Sequence, residues 1–268
     1  MQIDYSAQAM NLKPANSETL ELYSKLKESG IGTDKFIADS ARVVLKLLQT
    51  NIPIHSLLAT KDWIEAHHTH LSKIPEIFYA TLEEMQKIVG YSLHQGVMCL
   101  AHRPQDCALE EMLGETILVL DGIAKADNVG AIIRNAAAFN FTHILVDSST
   151  VHPFHRRAVR TSMGNVYGLK IHQTTDLPKS LNYLSTKGYQ VIGFENRPQA
   201  SLLHETSFQK KCAFIIGSEA IGIRPDVLTT LTQLVRIPIN QDVYALNAAC
   251  ASSVAMYAIA LNLKKNLI

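Results

Sequence analysis

The sequence lacks the features that mark a membrane, secreted or metal-binding protein. No apolar run reaches the roughly 18 residues that a membrane span needs. The amino-terminal residues do not combine a basic segment with an apolar core, so we expect no secretory signal. The four cysteines have no metal-like spacing, which predicts buried, reduced thiols and no metal site. Together these absences predict a cytoplasmic protein.

Net charge is also small. The chain has 25 Lys+Arg and 24 Asp+Glu, a net charge of +1, which does not by itself indicate a nucleic-acid binder. Residues 1–107 carry 10 basic and 12 acidic side chains (net −2), and residues 108–268 carry 15 and 12 (net +3). An RNA partner would therefore need a local basic patch, because the protein as a whole has little attractive field.

The glycine-rich G-x-G-x-x-G turn of dinucleotide-binding folds is absent as well. This absence counts against an unrelated nucleotide-binding α/β enzyme, which we keep as an alternative.

The apolar runs that are present predict an α/β protein with two domains. Short apolar strands alternate with helical patterns along the chain. The polar segment 102–107 contains Pro104 and predicts a linker. We therefore expect an N-terminal domain at residues 1–107 and a C-terminal domain at residues 108–268. Within the first domain, apolar spacing predicts an amphipathic helix over residues 36–49.

Two strand–loop segments near the C-terminus suggest a binding site. The apolar run 213–216 leads into a loop that contains Gly217 and Glu219. The apolar run 235–239 leads into a polar loop and then, from Asn247, into a helix rich in small residues. We expect the two strands to end side by side at the carboxyl edge of a sheet, where ligands of open α/β folds bind.

A third segment of the same kind lies upstream. The apolar strand 116–121 precedes a helix that contains Asn128 and Arg134 among small and apolar residues. We expect both side chains near the start of this helix. A guanidinium held there would form an anion-binding arrangement.

In this order, the three segments resemble the motifs of the SpoU (TrmH-like) family of SPOUT RNA 2′-O-ribose methyltransferases. The resemblance spans residues 111–263. The motifs are N-x-G-x-x-x-R-x-A-x-x-F, a strand followed by G-x-E-x-x-G, and I-P followed by L-N before a small-residue helix. The matching residues are Asn128, Gly130, Arg134, Ala136 and Phe139, then Gly217, Glu219 and Gly222, then Ile237, Pro238, Leu246 and Asn247.

The resemblance implies a fold and a reaction. The C-terminal part would be a SPOUT α/β domain with a deep trefoil knot that binds S-adenosylmethionine, and the protein would be a homodimer. The smaller N-terminal α/β domain would be L30e-like and bind the RNA substrate. The reaction would be methyl transfer to a ribose 2′-hydroxyl of structured RNA, with ribosomal RNA favoured over transfer RNA.

The resemblance also implies roles for individual residues. The acceptor site would contain Arg134 as the group that binds the ribose or its phosphate, and we expect Glu219 to pair with it. The predicted catalytic residues are Arg134, Asn128, Glu219 and Asn247. The predicted cofactor-binding residues are Gly217, Ile237 and Leu246.

The densest basic patch of the chain lies between the first and second motifs. Three arginines fall within five residues and precede a Ser-x-Gly sequence. A solvated helix face is the simplest interpretation of such a patch alone. Because phosphate contacts supply most nonspecific affinity, and the family places an RNA-facing region here, we predict RNA contact. The residues are Arg156, Arg157, Arg160 and Ser162.

Two positions depart from the family pattern. The first motif is usually preceded by Asp-Pro or a similar pair, whereas here it follows Lys125, Ala126 and Asp127. Ala245 replaces the usual serine of the third motif. The missing hydroxyl leaves a second function open, a catalytically silent RNA-binding protein on the same knotted fold.

Overall fold

The computed structural model describes residues 12–25, 34–89 and 96–264, which form two compact units. The first unit contains the described residues up to Pro104 together with Phe154–Tyr167. The second contains Gln105–Pro153 and the described residues from Gly168 onward. The first boundary between the two units follows Pro104 and falls within the predicted linker. The segment Phe154–Tyr167 lies outside the predicted boundary, and the separate functions of the two domains stay predictions.

The first unit is built on a five-stranded mixed sheet. Its strands are β1 (Leu12–Pro14), β2 (Lys35–Asp39), β3 (Ile54–Ala59), β4 (Ile77–Tyr79) and β5 (Val97–His102). The order is β1-β4-β3-β5-β2, and β5 runs antiparallel to both of its neighbours. The helices are α1 (Ser17–Lys25), α2 (Ala41–Leu48), α3 (Lys61–His67), α4 (Leu82–Val89) and, from the later segment, α6 (Arg156–Thr161).

The predicted helix over residues 36–49 is wrong in its first part. Residues 35–39 form strand β2, which pairs with β5, and the helix begins only at Ala41. A short, continuously apolar run fits a buried strand as well as a buried helix, so its periodicity could not distinguish them. The change of direction occurs at Ser40, which has φ 82° and ψ 143°.

The second unit contains a seven-stranded sheet in which all pairs are parallel. Its strands are β6 (Ile117–Asp121), β7 (His143–Asp147), β8 (Lys170–Thr174), β9 (Gln190–Phe194), β10 (Ser201–Leu202), β11 (Cys212–Gly217) and β12 (Gln233–Arg236). The order is β10-β12-β9-β11-β6-β7-β8. The helices are α5 (Ala126–Ala138), α7 (Leu177–Thr186), α8 (Pro225–Leu228) and α9 (Ala248–Asn262).

The strand order reverses direction between β6 and β11. From β6 the chain proceeds through β7 to β8 on one side, whereas β9, β11 and β12 lie on the other. The register places Gly217, at the end of β11, opposite Asp121, at the end of β6. The loops of the first and second motifs therefore leave the same edge of the sheet at its topological switch point, where open α/β sheets bind ligands.

The expectation that β11 and β12 end side by side is wrong. Strand β9 lies between them and pairs in parallel with both. Phe194, the last residue of β9, is opposite Ile216 of β11 and Val235 of β12. The third motif therefore reaches the site through the long loop that follows β12.

Apolar strands covered by helices form the core of this unit. Ile117, Val119, Leu145 and Ile215 are buried against the apolar face of α7. Both faces of a parallel sheet are normally covered, which explains the continuous apolar runs in the sequence. Within residues 12–25, 34–89 and 96–264, no helix is long and apolar enough to cross a membrane.

Candidate active site

Asn247 links the third motif to the first two. Its Oδ1 caps α9 by accepting hydrogen bonds from the backbone amides of Ala249 (2.9 Å) and Cys250 (3.4 Å). Its Nδ2 donates to Oδ1 of Asn128 at 3.2 Å and to Oε1 of Glu219. Three of the four predicted catalytic residues, from three separate motifs, are thus in direct contact.

Glu219 pairs with a residue that the motifs did not single out for catalysis. Its Oε2 lies 2.7 Å from Nζ of Lys125, the residue that precedes α5. This hydrogen bond is the largest of the effects that lower the pKa of Glu219, and contacts with Asn128 and the Ala248 backbone add to it. The expected pair between Glu219 and Arg134 is therefore wrong.

Arg134 lies farther along α5 than expected. It is the ninth of the 13 residues of the helix, and its side chain is exposed. Six residues correspond to about one and two-thirds helical turns, so Arg134 and Asn128 project from different faces. The expectation that both lie at the helix N-terminus is wrong. The structure leaves the guanidinium accessible from solvent.

The three predicted cofactor-binding residues line one pocket. Gly217, Ile237 and Leu246 face a cavity of about 920 Å³, including its open mouth, which Glu219 also borders. The second and third motifs therefore build a pocket that is continuous with the Glu219 contacts.

Two glycines shape the loop at this pocket. A Cβ atom at Gly217 would collide with the backbone of Gly222 and Ile223. Gly222 has φ 76°, and a Cβ there would collide with the carboxylate of Glu195. Backbone hydrogen bonds between Ser218 and Gly222, at 2.8 and 3.0 Å, close the loop. Larger residues at either glycine would open it.

The pocket contains a second carboxylate that the motifs did not predict. Glu195 follows β9 and is held by Arg197, whose Nε lies 3.0 Å from Oε2 and whose Nη2 lies 3.1 Å from Oε1. Neighbouring Asn196 donates to the backbone carbonyl of Tyr244 at 3.2 Å. No local motif marks these residues, and only the position of β9 beside β11 brings them to the pocket.

Arg224 forms a second network that sequence reasoning missed. Its Nε lies 2.7 Å from Oδ1 of Asp121, its backbone amide donates to Oδ2 of Asp121 at 2.9 Å, and its Nη2 lies 2.8 Å from Oδ2 of Asp147. Both carboxylates are buried at the carboxyl ends of β6 and β7. In the sequence, each of two consecutive apolar strands ends in Asp, and this pattern could have indicated the network.

Two residues of the basic segment have a structural role and not the predicted role in RNA binding. Arg156 is buried within the first unit and its Nε lies 2.9 Å from Oδ2 of Asp39, a contact that packs α6 on β2. Ser162 is also buried, and its hydroxyl donates to the Val159 carbonyl at 2.9 Å. The prediction that these two side chains face RNA is therefore wrong.

The other two arginines of the segment are more accessible. Arg157 is exposed and Arg160 is half-buried. RNA contact by this pair stays a prediction.

The described residues contain no group of three or more His, Cys, Asp or Glu side chains arranged to hold a metal ion.

Comparison with known proteins identifies the family. A model of the SpoU rRNA Methylase family matches residues 115–257, more than half of the chain. The chain belongs to the SpoU rRNA methylase family. All the motif residues, from Asn128 to Asn247, lie within the matched region. The predicted family is therefore confirmed.

Relatives of this SpoU protein match most of its length. An uncharacterized tRNA/rRNA methyltransferase of Mycobacterium bovis is 27% identical over 227 residues, which are 82% of this chain and 79% of the relative. The 23S rRNA (guanosine-2′-O-)-methyltransferase RlmB of Acinetobacter baylyi is 27% identical over 187 residues, which are 66% and 75% of the two chains.

Solved structures show the same fold. An rRNA methyltransferase from Sinorhizobium meliloti matches with a TM-score of 0.82 at 19% identity, covering 94% of this chain and 99% of that one. A structure of an AdoMet-bound rRNA methyltransferase from S. meliloti matches with a TM-score of 0.81 at 20% identity, covering 94% of this chain and 99% of that one. These structures confirm the predicted α/β fold. The family match and the named relatives confirm the methyltransferase class, so the alternative of an unrelated nucleotide-binding enzyme is wrong.

Proposed function

We propose that this protein transfers a methyl group from S-adenosylmethionine to a ribose 2′-hydroxyl of structured RNA. The observation that carries the proposal is the pocket formed by Gly217, Ile237 and Leu246, which adjoins the contact between Asn128, Glu219 and Asn247. A binding pocket and a polar cluster from the family motifs thus meet at one edge of the sheet.

The residues of the pocket suit the cofactor. Ile237 and Leu246 offer apolar surface for an adenine ring, and Gly217 lets the adjoining loop fold back closely on itself at the edge of the pocket. When bound, S-adenosylmethionine supplies a methyl group already activated on its sulfonium. The chain must then align the acceptor hydroxyl and assist the departure of its proton.

Arg134 is the residue that we assign to the acceptor. A guanidinium has a pKa above about 12 and is therefore a poor base. Its fixed positive charge can bind the acceptor ribose or phosphate and stabilise the oxygen as negative charge develops on it. Asn128, Glu219 and Asn247 would shape the part of the site that adjoins the cofactor pocket.

Ribosomal RNA is the substrate class that we favour over transfer RNA. The relative from Acinetobacter baylyi is named for guanosine 2′-O-methylation of 23S rRNA and matches 66% of this chain. The L30e-like interpretation of the first unit and the exposed side chain of Arg157 agree with binding to a large structured RNA. The knotted arrangement and a homodimer are part of the same proposal.

Calorimetric titration with S-adenosylhomocysteine, beside S-adenosylmethionine, tests the pocket. We expect micromolar binding that Leu246→Trp abolishes. Leu82→Trp is the control, because Leu82 is exposed on α4 and does not line the pocket. Undetectable binding by the folded wild-type protein would reject the enzyme and favour the silent RNA-binding protein suggested by Ala245.

A methylation assay with rRNA tests the role of Arg134. We expect Arg134→Ala to abolish transfer while binding of S-adenosylhomocysteine persists, because the side chain lies outside the pocket lining. A 2′-O-methyl group protects the adjacent phosphodiester from alkaline cleavage, which identifies the modified atom. Normal turnover by Arg134→Ala would contradict the assignment.

A further inference from the structure

A continuous chain of side-chain contacts joins Lys125 to the start of α9. Nζ of Lys125 lies 2.7 Å from Oε2 of Glu219, and Oε1 of Glu219 accepts a hydrogen bond from Nδ2 of Asn247. Nδ2 of Asn247 is also 3.2 Å from Oδ1 of Asn128. These contacts connect the loops of all three motifs, and Lys125 supplies the positive charge among the four contacting side chains.

The orientation of the Asn247 amide requires Glu219 to act as a hydrogen-bond acceptor. Oδ1 of Asn247 is used by the backbone amides at the N-terminus of α9. Its Nδ2 therefore points toward Glu219 and requires an acceptor there. An ionised carboxylate accepts from Lys125 through one oxygen and from Asn247 through the other, and the contact with Lys125 favours that ionised form.

The same contacts reach the pocket. Asn247 directly follows Ala245 and Leu246, and both of these residues line it. Glu219, in the glycine loop of the second motif, lines the same pocket. Holding Asn247 against Glu219 therefore keeps the two loops that form the pocket together.

We propose that Lys125 is a positioning residue for the cofactor pocket. Its ammonium group holds the Glu219 carboxylate where it accepts the Asn247 amide, and this holds residues 245–247 in their pocket-lining position. The inference rests on the proposed function, because it assumes that the pocket binds S-adenosylmethionine. It gives a role to the residue at which the first motif departs from the family pattern.

The effect of Lys125 should appear in ligand affinity rather than in global stability. Its side chain is 74% exposed, and exposed ion pairs contribute little to the free energy of unfolding. A pocket whose loops must be ordered during binding loses affinity instead, because the ligand then supplies the ordering.

The test is a calorimetric double-mutant cycle with S-adenosylhomocysteine as the probe. We expect Lys125→Met to weaken binding by about 5- to 10-fold, the scale of one ordinary hydrogen bond, because the Lys125 side chain is largely exposed. Lys125→Arg should restore affinity to within about twofold, because it keeps the charge and the donor. The melting temperature of the ligand-free protein should be the same in all three.

Two further variants make the test specific. If Lys125 acts through Glu219, adding Lys125→Met to Glu219→Gln should cause no further loss of affinity. Lys13→Ala is the matched control, since Lys13 also forms an exposed ion pair between distant residues, 3.1 Å from Oε1 of Glu76. It should leave affinity unchanged.

Unchanged affinity in Lys125→Met, or fully additive losses in the double variant, would overturn the inference. Loss of rRNA binding with normal affinity for S-adenosylhomocysteine would also overturn it, and would make Lys125 a phosphate contact. Absence of binding by the wild-type protein would instead reject the proposed function itself, so the two failures are distinguishable.

Discussion

Arg224 is a residue whose loss should destabilise the second unit. It is the counter-charge of Asp121 and Asp147, two buried carboxylates from neighbouring strands. Removing one partner of a buried ion pair leaves an uncompensated charge, which commonly costs about 3 kcal/mol or more. We expect Arg224→Met to lower the free energy of unfolding by about 3 kcal/mol, measured by urea denaturation.

The deficit in the free energy of unfolding that Arg224→Met causes should also depend on pH. Burial raises the pKa of Asp121 although Arg224 contacts it. Without Arg224 that pKa should rise further. A carboxyl whose pKa is higher in the folded state binds protons more tightly there, so protonation favours folding. We therefore expect a larger deficit at pH 8 than at pH 5. An equal deficit at both values would contradict this account of Asp121.

At the scale of elements, the junction of β2 and α2 is strained. Ser40 has φ 82° and ψ 143°, a backbone conformation that is almost restricted to glycine, and its side chain makes no capping hydrogen bond. Such a residue costs about 1–3 kcal/mol. We expect Ser40→Gly to stabilise the protein by about 1 kcal/mol, after allowance for the added freedom of the unfolded chain.

Ser40→Ala provides the comparison at the same position. Alanine retains the Cβ atom and hence the strain, and no capping bond is lost. Its unfolding midpoint in urea should therefore stay close to that of the wild type. Stabilisation by alanine equal to that by glycine would show that the strain is not the cause.

At the scale of the whole molecule, α9 presents an apolar stripe to solvent. Val254, Tyr257 and Leu261 are 40%, 51% and 54% exposed and lie at helical spacing. The ring of Phe139 from α5 lies 6.0 Å from that of Tyr257. Exposed apolar patches mark interaction surfaces, and the proposed homodimer would cover this one.

Sedimentation velocity tests the dimer. We expect the wild-type protein to sediment as a dimer and Tyr257→Glu to sediment as a monomer with an unchanged circular dichroism spectrum. Leu82→Glu is the control, since Leu82 is 40% exposed but lies on α4. A monomeric wild-type protein would contradict the proposal.

Local sequence determined the main strands of the second unit and the family of this protein. The apolar runs at β6, β7 and β11 predict buried parallel strands because both faces of such a sheet are covered. Glycine and asparagine at fixed spacing after these strands identify the motif loops. Gly217, Ile237 and Leu246 could be assigned to one pocket from the family resemblance alone.

Tertiary structure alone decided which side chains meet. Strand β9 inserts between β11 and β12 because strand pairing depends on packing across the sheet, which local periodicity does not encode. Lys125 and Glu219 are 94 residues apart, and Arg156 and Asp39 are 117 apart. A sequence shows that a residue is charged, but its partner and its burial are set by the fold. For that reason Arg156 looked like a phosphate contact in sequence and is instead part of a buried ion pair.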